Sequence, residues 1–247
     1  MEQYTKHQIA ANTTVAITAV CFFHCITVNP SSFFPIYYYL IPFGLTFLGY
    51  HFIRKFDQKV SHETSLAENV MLLISVICII PLLYHLPLDP IKWAFALSTL
   101  VISILYIVPK THWKLRAHWW SKSIAITYVW ITLFGVILSP LTMKEISLLN
   151  PILLLQLILT MLLSCWVYDI HESDWSEEKI RNVKILAIST LSFVGLLSLT
   201  MAQKKGTIII PLVLFALHIT RLKKDYHPQQ NVWIDIYLAF IFLSLSL

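Results

Sequence analysis

The chain has 247 residues, of which 57% are hydrophobic and only 13% charged, whereas charge makes up about a quarter of an ordinary soluble domain. That balance excludes a water-soluble globular domain and implies one membrane-embedded helical unit with no separate soluble part. The formal charge of +5 does not imply nucleic-acid binding, because Lys and Arg are scattered through short connections and form no basic arm.

Met1 to Gln8 is polar with a single Lys6. The apolar run behind it lacks a small-residue cleavage site, so it reads as a first span and not as a removable leader. Nine apolar segments follow in order: Ile9 to Val28, Phe33 to Phe52, Asn69 to Leu86, Ile91 to Val108, Ser123 to Ser139, Leu148 to Tyr168, Ile185 to Met201, Thr207 to Thr220 and Val232 to Leu247. Each is close to the length that crosses a hydrocarbon core. The runs are continuous, without the alternation of a barrel strand, and backbone groups in lipid must pair within their own segment. The expected fold is therefore all-α, a polytopic membrane bundle of about nine transmembrane helices over residues 1–247. The eighth segment is short and bounded by Lys205 and Arg221.

The basic residues orient this topology. Of the 18 Lys and Arg, all but Lys92, Lys144, Lys204 and Lys205 fall on the side that carries the N-terminus. The positive-inside rule then places the N-terminus in the cytoplasm; the expected setting is a bacterial inner membrane. Most acidic residues share that face, as do Trp113, Trp119, Trp120, Trp166 and Trp175, which suit an aromatic belt or the mouth of a hydrophobic site. Prolines within or at the ends of spans, at Pro35, Pro42, Pro81, Pro109, Pro140, Pro151 and Pro211, can bend helices and leave room for a cavity. Cys21, Cys25, Cys78 and Cys165 lie in or beside apolar segments and read as small buried thiols rather than as a disulfide framework or a zinc site.

Two polar stretches interrupt the apolar pattern. Trp166 to Lys184 brings Asp169, Glu172, Asp174, Glu177 and Glu178 to the end of the sixth segment, and Arg54 to Glu68 follows the second in the same way. So much acid at a membrane surface calls for a bound cation or a cationic partner. Tyr50-His51 and Tyr168-Asp169 occupy matching places, four segments apart, which suggests half-repeats over 1–120 and 121–247 with a shared site between them.

The stretches FGLTFLGYHFIRKFDQKV, LYIVPKTHWKLRAHWWSKSIAITYVW and CWVYDIHESDWSEEKI resemble the motifs of the UbiA family of intramembrane prenyltransferases, in its divergent bacterial branch. The resemblance implies a UbiA-like bundle that transfers a prenyl group from a polyprenyl diphosphate to a hydrophobic acceptor at the cytoplasmic face. It also implies magnesium held by Asp169, Glu172, Asp174 and Asp57, with Asp169 and Glu172 in the catalytic role. Arg54, Lys55, Tyr106, Lys110 and Lys114 would hold the diphosphate. His51 stands where the family's first motif has Asn, and Lys55 where it has the next Asp. The chemistry is coherent: a departing diphosphate needs its charge neutralised, and carboxylate-held magnesium with Lys or Arg supplies that.

Simpler roles compete for the same residues. Asp174 with Glu177 suits an N-cap, and Glu177 with Glu178 suits a helix N-terminus. Arg54, Lys55, Lys110 and Lys114 suit topology alone, and an Arg pairing with the acidic cluster would replace a metal. Gln156, His85 and His218 suit helix-to-helix hydrogen bonds, and Asp235 an interfacial position. The alternative function is a non-catalytic UbiA-like membrane protein that binds a lipid or a protein partner.

Overall fold

The computed structural model describes residues 2–27, 35–57, 66–85, 89–107, 118–139, 150–172, 175–200, 206–222 and 228–246. Among these residues there is no strand, and nine helices form: α1 (Glu2–Thr27), α2 (Ile36–Asp57), α3 (Leu66–His85), α4 (Pro90–Ile107), α5 (Trp119–Ile137), α6 (Pro151–Glu172), α7 (Glu177–Thr200), α8 (Gly206–Arg221) and α9 (Pro228–Ser246). The doubtful eighth segment is a helix. Five helices are long and apolar enough to cross a membrane, over Ile9–Thr27, Ile36–Ile53, Trp119–Ile137, Pro151–Ile170 and Glu177–Leu199; the other four apolar helices are shorter over the residues searched.

Local chemistry sets several boundaries. Asp89 and Asn150 each precede a proline, and their side-chain oxygens accept hydrogen bonds from the backbone N–H of Ile91 and Ile152, both at 2.9 Å. The pattern is an N-cap followed by proline at the first helical position, where its missing N–H costs nothing. Ser176 caps α7, accepting from the Lys179 N–H at 3.3 Å; the expected cap Asp174 lies outside the described residues. Pro42 and Pro211 sit inside α2 and α8.

The last part of α5, Ile131–Ile137, is π-helical, and the Leu138 N–H reaches five residues back to the Leu133 carbonyl at 2.9 Å. Its C-terminal end is met by the buried Lys92, whose Nζ donates to the Ser139 carbonyl at 2.8 Å. A cation there hydrogen-bonds a carbonyl just beyond the helix end and opposes the helix dipole. Lys92 is thus more than one of the few basic residues on its side of the chain.

Helix α1 packs against both α2 and α9, α3 backs α2, α4 lies on α5, and α6 touches α5, α7 and α9. Fully buried Phe22 sits at the centre of an edge-to-face cluster with Trp130, Phe134 and Phe242, at ring separations of 5.7, 6.3 and 5.1 Å. Such pairs add about 0.5–1.5 kcal/mol each beyond burial. The outside stays apolar, with Leu73 on α3, Leu97 on α4, Leu196 on α7 and Ile210 on α8 all more than half exposed. An outer surface of that kind suits hydrocarbon and not water. All four cysteines are buried and none is in a disulfide, as expected.

The α2–α3 contact depends on Gly44. A Cβ there would lie 2.5 Å from the Ser75 carbonyl oxygen and 3.0 Å from Cys78 Cβ, whereas one on Gly49 would meet nothing within 4 Å. Close backbone approach through a small residue is a common way for helices to associate in membranes. Gly44→Val is expected to destabilise the protein by about 1–3 kcal/mol or more through overpacking. Gly49→Ala should leave thermal unfolding in detergent unchanged or slightly improved. Equal melting of both variants would remove Gly44 from this role.

Candidate functional site

Helices α1, α2, α4, α5, α6 and α9 surround a cavity of about 480 Å³, within the usual size range of small-molecule sites. Its two ends differ in chemistry. Around Lys122 it is lined by Tyr50, Tyr106, Tyr168 and Asp235 together with Phe52 and Ile53; farther along, Leu45, Leu133, Phe134, Met161 and Leu238 make it largely apolar, with Thr18, Thr46 and Ser164 among them.

The polar end is organised by two adjacent residues of α6. Asp169 is buried and forms an ion pair through Oδ1 with Lys122 Nζ on α5. Tyr168 donates its hydroxyl to Asp235 Oδ1 on α9. The second Asp235 oxygen lies 2.9 Å from the Thr14 hydroxyl on α1, and the Thr18 hydroxyl donates to the Asp235 carbonyl oxygen at 3.0 Å. Four helices are thereby joined through one dipeptide. Beside it, Trp119 packs edge-to-face on Trp166 and Trp175 at 6.1 and 6.2 Å, with Lys179 Nζ 4.2 Å from the Trp175 ring centre. Three of the expected belt tryptophans are therefore packed on one another where α5, α6 and α7 meet.

The predicted site residues divide into those the structure places and those it does not describe. Asp169 lies beside the cavity and Tyr106 lines it. His51 is turned instead toward α3: it is buried, with Nδ1 2.9 Å from Glu68 Oε1. Arg54, Lys55 and Asp57 lie in the last turns of α2 and Glu172 ends α6, but their side chains are outside the description, as are Asp174, Lys110 and Lys114 altogether. Asp235, expected at an interfacial position, is 3% exposed, is hydrogen-bonded from two helices and lines the cavity. Gln156 does bridge helices as expected, its amide donating to Ser198 Oγ at 2.8 Å.

Sequence reasoning used Lys122 only to count charge and missed Tyr168 as a ligand of Asp235. A carboxylate inside an apolar span was the available signal for Asp235, since such a residue is expensive there without a function or a partner.

Magnesium asks for several oxygen ligands in near-octahedral array. Among the described residues no three His, Cys, Asp or Glu side chains gather. Asp169 meets an ammonium, and Asp235 meets hydroxyls. The described donors do not by themselves build a magnesium site.

The described residues define a helical bundle with membrane-length apolar helices and a cavity that is charged at one end and largely apolar beyond it. No family model, no curated protein and no solved structure matches the chain.

Breaking one side of a buried ion pair strands the other charge, at a cost of about 3–5 kcal/mol, whereas replacing both partners by apolar groups of similar size is often tolerated. Asp169→Asn is therefore expected to lower thermal stability in detergent more than the double variant Lys122→Met with Asp169→Leu. If the double variant melts at the sum of the losses of Lys122→Met alone and Asp169→Leu alone, the pair is not energetically coupled.

Proposed function

We propose that this protein is a UbiA-like, nine-span membrane protein with a cytoplasmic N-terminus, and that it binds a single-chain isoprenoid amphiphile within the bilayer. The observation that carries this reading is the cavity's polarity: Lys122, Tyr106, Tyr168 and Asp235 at one end, and an apolar length behind them. A head group with hydrogen-bonding oxygens suits the first, and a hydrocarbon chain the second. Head groups collect at the membrane surface, where the basic connections also lie, so the ligand enters the cavity chain first.

Prenyl transfer is the second reading, favoured by the position of Asp169 beside that cavity and by the basic residues expected around it. In that reaction the allylic carbon–oxygen bond of the donor breaks, the diphosphate leaves with the electron pair, and a nucleophilic atom of the acceptor bonds to the freed carbon and releases a proton. The cavity walls contribute exclusion of water from the cation. Lys122 and the basic residues Arg54, Lys55, Lys110 and Lys114 are the groups suited to the departing diphosphate. Magnesium, if held by Glu172, Asp174 and Asp57 with Asp169, would add charge neutralisation at the diphosphate.

The test is saturable binding of farnesyl diphosphate and of farnesol to purified protein, each with and without magnesium. Gly49 lines the cavity with open space before it, so Gly49→Leu is expected to weaken binding by about tenfold or more while leaving the melting temperature in place. Binding that ignores Gly49→Leu would place the ligand elsewhere. Magnesium-strengthened binding of the diphosphate alone, lost in Glu172→Gln, selects the transferase reading; equal, metal-independent binding of both ligands selects the non-catalytic one.

A further inference from the structure

We infer that Phe134 and Leu133, carried on the π-helical turn of α5, form a floor that limits the ligand's chain to about farnesyl or geranylgeranyl length. The inference rests on the reading of the cavity as an isoprenoid site and adds the class of chain it takes.

The polar end and the floor are built on one helix. Lys122 lies in the first turn of α5, and Leu133 and Phe134 lie within Ile131–Ile137; all three line the cavity. At 1.5 Å per residue, Lys122 and Phe134 are about 18 Å apart along the axis. The other walls span less: α2 contributes from Ile53 to Leu45 and α6 from Tyr168 to Met161, about 12 and 11 Å at the same rise. A chain whose head lies at Lys122 therefore has on the order of 12–18 Å before it meets Phe134. Farnesyl and geranylgeranyl chains are of that order when extended; a polyprenyl chain of many units is far longer.

The floor cannot easily yield. Phe134 is 2% exposed and is held edge-to-face by Trp130 at 5.4 Å and by Phe22 at 6.3 Å, with Phe242 behind Phe22. Gly135, next in the chain, has Ile26 so close that a Cβ would lie 3.3 Å from it, so α5 is seated on α1 at this level. On the cavity, Leu133 and Phe134 continue the consecutive pairs Ala125 and Ile126, and Val129 and Trp130, that the α-helical part of α5 presents; π-helical turns recur at functional sites.

The test is competition against tritiated farnesyl diphosphate bound to the purified full-length protein, using geranylgeranyl and the much longer solanesyl diphosphate. In the parent, geranylgeranyl diphosphate is expected to compete within about threefold of farnesyl and solanesyl to be weaker by tenfold or more, the scale on which a pocket rejects excess methylenes. Leu133→Ala and Phe134→Leu should each bring solanesyl closer to farnesyl by about tenfold or less, and Leu133→Phe should weaken geranylgeranyl alone. Two positions are used so that one variant failing to fold leaves the other to decide, with melting curves identifying the folded ones. Solanesyl competing as well as farnesyl in the parent, as a chain leaving sideways between α2 and α4 would, overturns the floor and leaves the binding site standing. A length ranking unchanged in folded floor variants does the same. Absence of saturable binding for every chain overturns the floor and the isoprenoid site together.

Discussion

Everything at the polar end depends on two neighbouring side chains of α6 that are both obliged to find partners. Successive residues of a helix point about 100° apart, so Tyr168 and Asp169 address different neighbours: Tyr168 reaches Asp235 on α9, and Asp169 reaches Lys122 on α5. In an apolar interior, neither a carboxylate nor a phenol hydroxyl tolerates desolvation without such a contact. The rotation of α6 about its axis is thereby fixed, because turning it would break both contacts at once. Asp235 passes the constraint on to α1 through Thr14 and Thr18. The helices joined in this way are four of the six that wall the cavity.

The opposite end is held by a different force. Around Phe22 the contacts are aromatic edges on aromatic faces, with close packing as the source of cohesion. Polar contacts at one end and bulky rings at the other keep the intervening walls apart, so a cavity persists between them. Helices α3, α7 and α8 stand outside this ring. They buttress α2, α6 and α9 and present apolar side chains outward. The division explains why α3, α7 and α8 contribute no cavity-lining residue while still carrying structural contacts such as Gly44 to Ser75 and Gln156 to Ser198.

The helices were legible because each is a continuous apolar run, whereas the Asp89-Pro90 and Asn150-Pro151 caps that set two of their starts went unread, and the sixth segment was begun at Leu148 instead of Pro151. Asp169 was legible as an acid at the end of an apolar segment. Its partner was not. Lys122 sits 47 positions away in the chain, and a basic residue in an inner connection has the same appearance whether it orients the protein or enters a buried ion pair. His51 was assigned by a matching motif to a site shared with Tyr168-Asp169, yet it meets Glu68 of the next helix, a pairing that depends on how α2 and α3 turn against each other. The π-helical turn of α5 left no sign in composition. ITLFGVI reads as ordinary apolar helix, and in the fold this turn packs against both α1 and α4.

A lipid ligand of the kind proposed would gain little hydrophobic energy by moving its chain from bilayer to cavity, because both surroundings are apolar, just as helices gain little from burying leucine against one another in lipid. The chain can therefore be selected only by shape: a chain that fits is accommodated, and one that does not must displace packed side chains. The head group is different, since it exchanges interfacial water for fixed polar groups. Lys122 already faces Asp169, so an anionic head gains only the difference between meeting a partnered ammonium and staying at the surface. Neutral hydroxyls can add hydrogen bonds around Tyr168 and Asp235 without competing for that ion pair. Strong preference for a diphosphate over an alcohol consequently requires cations beyond Lys122. Arg54, Lys55, Lys110 and Lys114 are the basic residues whose positions in the chain allow them to supply the charge.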